Sequence, residues 1–110
     1  MKVLDGAGRC TSGDDPNVYV EHLRNDSMSV GTYCIPAGGV DDQTPHTEDE
    51  IYVVVGGRAR IEGGGDGASL SLGSVVFVPA GEEHRFVEIT EDLTALVFFA
   101  PAEGSSARES

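Results

Sequence analysis

The feature that most constrains this chain is the change of character at Glu50. Before it lies the acidic, polar segment Val40-Asp41-Asp42-Gln43-Thr44-Pro45-His46-Thr47-Glu48-Asp49. After it comes the β-branched and aromatic run Ile51-Tyr52-Val53-Val54-Val55, closed by Gly56-Gly57. Branched and aromatic side chains suit a pleated, half-buried surface, so the run reads as a strand. His46 and Glu50 are four residues apart, a spacing that would share one face of a helix, but Thr47-Glu48-Asp49 carries no apolar stripe. On an extended chain alternate residues share a face, so His46, Glu50, Tyr52 and Val54 are expected to point the same way. An imidazole and a carboxylate facing inward can hold a metal ion if further ligands arrive from elsewhere.

Those ligands are sought in a second stretch. Gly73-Ser74-Val75-Val76-Phe77-Val78-Pro79-Ala80-Gly81-Glu82-Glu83-His84 reads as an apolar strand, a Pro-Ala-Gly turn, and a His opening the next strand. Together the two stretches resemble the cupin family. Its first motif runs Gly, five residues, His, one residue, His, three or four residues, Glu, six residues, Gly. Gly38, Thr44, His46, Glu50 and Gly57 stand at those positions, with Thr44 where the first His is usual. Its second motif runs Gly, five residues, Pro, one residue, Gly, two residues, His, three residues, Asn. Gly73, Pro79, Gly81 and His84 match, and Glu88 stands in place of Asn. The resemblance covers most of the chain.

The resemblance implies an all-β fold, the double-stranded β-helix or jelly-roll barrel, with a metal in its open mouth. It implies His46, Glu50 and His84 as ligands of one divalent metal ion. Two imidazoles and one carboxylate form the facial set of non-haem Fe(II) oxygenases and also suit Mn, Ni, Co or Zn, so the donors do not choose the metal. Thr44 offers only a neutral hydroxyl; Gln43 is a candidate additional oxygen ligand, one residue out of register. The family also implies a homodimer paired through β-strands, and it includes members that have lost ligands and bind no metal.

The residues read without the family agree on class. The chain has 110 residues, enough for one domain with a modest core. Fifteen glycines and many short Val, Ile, Phe and Tyr segments indicate all-β architecture. Strands are expected over 17–24, 27–35, 51–55, 58–62, 69–72, 75–78, 84–90 and 93–99, about eight in all. Residues 63–67 form a glycine-rich hairpin loop, which lacks the Lys-Ser or Lys-Thr of a phosphate loop. Residues 1–16 read as a loose leader, 17–100 as the barrel domain, and 101–110 as a disordered tail.

Composition excludes several classes of partner. A formal charge of −12 opposes nucleic acid and anionic membrane surfaces, and no apolar run is long enough to span a bilayer. The acidic clusters are read as solvated loop charge, Glu50 excepted. The amino-terminal segment lacks the apolar region of a signal peptide, which points to the cytoplasm. Cys10 and Cys34 then read as free thiols, with a disulfide left open by the sequence.

Two further residues are candidates for catalysis. Glu88 lies four residues after His84 and would share its inward face as a general base, or it ends the strand and meets an Arg or solvent. Tyr52 would orient a substrate through its hydroxyl, or fill space. Of Tyr33 and Cys34, adjacent on one strand, only one can line the pocket, and His22 would reach it only from a strand crossing the mouth. The expected function is a small metal-dependent enzyme acting on a small oxygenated metabolite, dioxygenase-like or an isomerase or lyase. The alternative is a non-catalytic small-molecule-binding cupin, a sensor or carrier.

Overall fold

The computed structural model describes residues 1–10, 17–41 and 45–105. Among these there are six strands and no helix: β1 (Val18–Arg24), β2 (Ser29–Ile35), β3 (Asp49–Gly63), β4 (Asp66–Leu70), β5 (Val75–Val78) and β6 (His84–Ala100). All pairings are antiparallel, in the order β1-β2-β6-β3-β4, with β5 also on β3. β3 pairs with β6 along one edge from Asp49↔Ala100 to Gly63↔His84. Its other edge takes β5 over Glu50–Val53 and β4 over Ala59–Gly63. The sheet curls around a single core that includes Ile35, Tyr52, Val54, Phe86, Leu93 and Phe99.

Six strands replace the expected eight because two pairs of segments are continuous. Residues 51–55 and 58–62 both belong to β3, and 84–90 and 93–99 both belong to β6. The glycines and acids that read as turns are bends within a ladder whose register shifts between Val54 and Arg60. At Gly57, φ is +88°, and a Cβ there would meet the Asp92 carbonyl oxygen at 2.1 Å, so no side chain fits. The bend changes which residues face in: Glu50, Tyr52 and Val54 are buried before it, Ala59 and Ile61 after it. β6 makes the matching change at Glu88, whose φ is +48°, passing from His84 and Phe86 to Ile89, Leu93, Ala95, Val97 and Phe99. The glycine-rich loop is also tighter than expected. Gly63 pairs with Asp66, leaving Gly64 and Gly65, both at positive φ, as a two-residue turn.

Three terminal expectations are corrected. Cys10 and Cys34 are joined as a disulfide, so they do not support a reducing compartment as free thiols would. The nearby leader is also pinned, because the Gly8 N–H donates to Thr32 Oγ1 at 2.8 Å. Residues 101–105 are not a loose tail. Ala102 is buried, the Glu103 N–H donates to Ser29 Oγ at 2.9 Å, and the Gly104 N–H donates to Glu48 Oε1 at 2.7 Å. The rest of the expected leader (11–16) and tail (106–110) lies outside the described residues.

Candidate metal centre and cavity

Glu50 is the second residue of β3 and Tyr52 the fourth, so both point inward with the strand's alternation. His84 opens β6 opposite Gly63, where the missing side chain leaves room: a Cβ on Gly63 would lie 3.0 Å from that of His84. His46 comes from the loop before β3. Its carbonyl accepts from the Gly81 N–H at 2.8 Å, and the Ala80 N–H donates to Asp49 Oδ1 at 2.9 Å. The Pro79-Ala80-Gly81 turn thus ties the two motif stretches together. His46, Glu50 and His84 each offer a ligand atom, all within 4.8 Å of one another.

The protonation pattern suits a cation. His84 Nδ1–H donates to the Glu82 carbonyl at 2.9 Å, and a carbonyl can only accept, so Nδ1 carries a hydrogen. In the neutral ring this leaves the lone pair on Nε2, which lies 3.0 Å from the Tyr52 hydroxyl and 3.1 Å from Glu50 Oε1. Such anchoring through the far nitrogen is how metal-binding histidines are commonly oriented. Glu50 is 1% exposed, yet neither of its oxygens accepts a well-aligned hydrogen bond among the described residues. A buried carboxylate facing an imidazole lone pair is unfavourable unless a positive charge lies between them. A divalent cation would supply it, as would a proton on His84. Burial pushes the His84 pKa down, but contact with Glu50, the Glu82 carbonyl and the charge of Asp41 outweigh it, so the net shift is upward. The donor set therefore fits a metal ion.

Beside this cluster is a cavity of about 180 Å³. All three tyrosines of the chain, Tyr19, Tyr33 and Tyr52, line it, together with Val97 and Phe99. Its polar edge is His46, Glu50 and Glu103. Tyr19 reaches it by lying across Gly31, where a Cβ would meet the Tyr19 hydroxyl at 2.4 Å. Burial raises the Tyr19 phenol pKa far above its ordinary range, and Glu103, Glu21 and Glu50 add to the rise, so the phenol stays protonated. Glu103 Oε2 lies 3.5 Å from His46 Nδ1. Burial pushes the Glu103 carboxyl up, and His46 only partly reverses this.

Not every sequence candidate converges here. Glu88 does not point inward: its side chain is 68% exposed and pairs with Arg60 at 3.2 Å. The alternation that would carry it inward from His84 is broken at Glu88 itself by the positive φ. His22 bonds to Thr32 Oγ1 at 2.6 Å. Of the adjacent pair on β2, Tyr33 lines the cavity and Cys34 forms the disulfide. Gln43 and Thr44 lie outside the described residues. Sequence reasoning missed Glu103, which follows the end of β6 at Ala100, where strand alternation no longer holds: Pro101 is exposed and Ala102 buried. It also missed Asp41 and Glu48, both buried. Glu48 shares the parity of His46 and Glu50, which was the available signal.

A family model for the cupin domain matches residues 31–100. This chain is a cupin. It is 51% identical over 85 residues to an uncharacterized protein of Streptomyces coelicolor, spanning 77% of this chain and 81% of that one. It superposes on an RmlC-like cupin with a double-stranded β-helix fold from Methanocaldococcus jannaschii, with a TM-score of 0.70 and 15% identity over 83% of this chain and 86% of that one. The DMSP lyase DddQ of Ruegeria pomeroyi matches with a TM-score of 0.73 and 22% identity, over 91% of this chain and 54% of the lyase. These structural likenesses establish the fold, a small single-domain cupin built as a double-stranded β-helix. No helix among the described residues is long and apolar enough to cross a membrane.

Proposed function

We propose that this cupin binds one divalent metal ion through His46, Glu50 and His84 and acts as an enzyme on a small oxygenated metabolite held in the adjoining cavity. The observation that carries the reading is the buried Glu50 carboxylate, without a hydrogen-bond donor among the described residues and facing an imidazole whose other nitrogen is anchored. A bound ion would supply Lewis acidity toward a substrate oxygen, and with these three donors it would keep coordination positions open. Glu50 would neutralise part of its charge. The Glu82 carbonyl holds the His84 ring in its ligating tautomer, and the Tyr52 hydroxyl beside His84 is placed to orient a substrate oxygen. The apolar wall of Tyr33, Val97 and Phe99 keeps bulk water from the reacting end. Dioxygenation leads among the reaction types because the donors match the facial set; isomerase and lyase chemistry use the same Lewis acidity.

The test is the metal content of untagged protein purified without chelators, beside His46→Ala and His84→Ala. Near-stoichiometric metal in wild type and none in either variant is the expected result. A wild type that takes up no metal even after reconstitution overturns the reading and leaves a non-catalytic binding cupin.

The proposal includes a homodimer. Ile51, Val75 and Phe77 are 39%, 65% and 60% exposed on adjacent strands, with Ile51 directly opposite Phe77. An exposed apolar patch of this kind favours burial against a second copy. Phe77→Lys would shift a dimer to monomer in sedimentation, whereas a monomeric wild type would refute this part.

A further inference from the structure

The cavity combines features that define a ligand chemistry more narrowly than "small and oxygenated". No Lys or Arg lines it among the described residues, while two carboxylates, Glu50 and Glu103, do. Arg24, whose field reaches Glu103, is already engaged by Glu21 at 2.8 Å. A ligand with surplus negative charge would meet like charge at Glu103. A neutral apolar ligand would strip water from Glu103 and return nothing for it.

The walls add a second requirement. Tyr33 donates its hydroxyl to Asp41 Oδ1 at 2.8 Å, and the Tyr52 hydroxyl is engaged with His84 Nε2. Both hydroxyl protons are therefore committed, and what Tyr33 and Tyr52 offer the cavity is ring carbon and an oxygen that can only accept. The rings of Tyr19 and Tyr33 stand 6.4 Å apart at 70°, two aromatic walls near a right angle. A primary ammonium is compact and strongly hydrated and would have to give up that water to enter. An alkylated cation carries its charge under a skin of methyl groups, and aromatic rings attract it through their quadrupoles.

We propose that this cavity receives the alkylated head of a small organic cation, of the quaternary ammonium type, with Glu103 as the counter-charge and Tyr19 and Tyr33 as the aromatic walls. The rest of the ligand then lies toward His46 and Glu50. The inference deepens the metal-enzyme reading by naming a substrate class for the same site. The two ends adjoin, with Glu103 Oε2 3.5 Å from His46 Nδ1, but metal uptake and preference for a cation are read by different measurements and can fail independently. Glu103 is a specificity-determining residue here, delivered by the segment after β6 that Ser29 and Glu48 pin down.

The test uses choline and its uncharged isostere 3,3-dimethyl-1-butanol, which replaces the nitrogen by carbon at equal shape. Both are titrated calorimetrically into the full chain, metal-loaded and metal-stripped. Wild type is expected to bind choline at least about tenfold more tightly than the isostere in either state, the scale of a desolvated cation–aromatic contact with a counter-charge. Glu103→Gln should bring the ratio toward one, and Tyr19→Leu should weaken choline severalfold. Equal binding of the two probes by wild type, tighter binding of the isostere, or no binding of choline at millimolar concentration overturns the proposal; this comparison needs no variant to fold. Absence of metal with choline preference intact would sink the metal reading alone. Metal uptake with no preference would sink this inference alone.

Discussion

Asp41 and Glu48, in the loop before β3, are 4% and 2% exposed, and Glu50, inside the strand, is 1% exposed. All three are carboxylates removed from water, but they are treated differently. Asp41 accepts from the Tyr33 hydroxyl and from the Phe86 N–H, both at 2.8 Å, and so joins β2 to β6. Glu48 accepts from the Gly104 N–H at 2.7 Å and from the Thr47 hydroxyl, and so holds the segment that delivers Glu103. Glu50 has only the His84 contact, without a well-aligned hydrogen bond among the described residues. Burial alone therefore does not mark a functional acid. A buried carboxylate whose oxygens meet backbone donors is a brace. One aimed at an imidazole lone pair is poised for a cation.

The widest separation between these kinds should appear in metal affinity. Glu50→Gln is expected to cost two to three decades in metal affinity, about 3–4 kcal/mol for one lost anionic ligand. At a pH where His84 is neutral, the same change should leave the metal-free fold as stable as wild type or more so, because it then removes an uncompensated buried charge. Metal titration and urea unfolding of the stripped protein check the two halves. A Glu50→Gln protein that keeps full affinity would erase the distinction.

Asp41→Ala should show the opposite pattern, a loss of about 2–3 kcal/mol in fold stability from stranding the buried Phe86 N–H and the Tyr33 hydroxyl. Urea midpoints measure it. Glu48→Gln keeps one acceptor for the Gly104 N–H and should cost less, about 1–2 kcal/mol. Its sharper readout is faster amide exchange at Glu103 and Gly104 than elsewhere in the chain. Uniform exchange across the strands instead would mean that Glu48 does not brace the terminal segment.

Legibility from sequence followed the same division. The inward alternation of Glu50, Tyr52 and Val54 could be read from strand period, and the convergence of His46 with His84 was implied by the cupin resemblance. These depend on local geometry and on one turn, Pro79 to Gly81. What escaped were features set by long-range pairing. The exposure of Glu88 depends on a register shift against β3, and period-two counting cannot anticipate an extra residue in one strand. Asp41 looked like loop charge because its donors lie in β2 and β6, far along the chain. Glu103 looked like tail because nothing local to Pro101–Ser105 reveals Ser29 and Glu48 as its anchors. The disulfide belongs to the same group, since only the folded chain brings Cys10 to Cys34.

The smallest expected effect is also the one whose sign best separates brace from site. In the metal-free protein the His84 pKa is raised above the ordinary histidine value of about 6.5. The charged ring beside Glu50 then contributes stability that is fully present below the unfolded pKa. That contribution is lost as pH rises through the folded pKa. Metal binding runs the other way, because the ion competes with the proton for Nε2 and gains as pH rises. Stripped protein should therefore lose stability on going upward from about pH 6.5, while metal-loaded protein gains over the same window. Thermal melts of both forms across that range would show slopes of opposite sign, and His84→Gln should flatten both. Parallel slopes would mean that no cation replaces the proton between His84 and Glu50, and Glu50 would then be a brace like the other two.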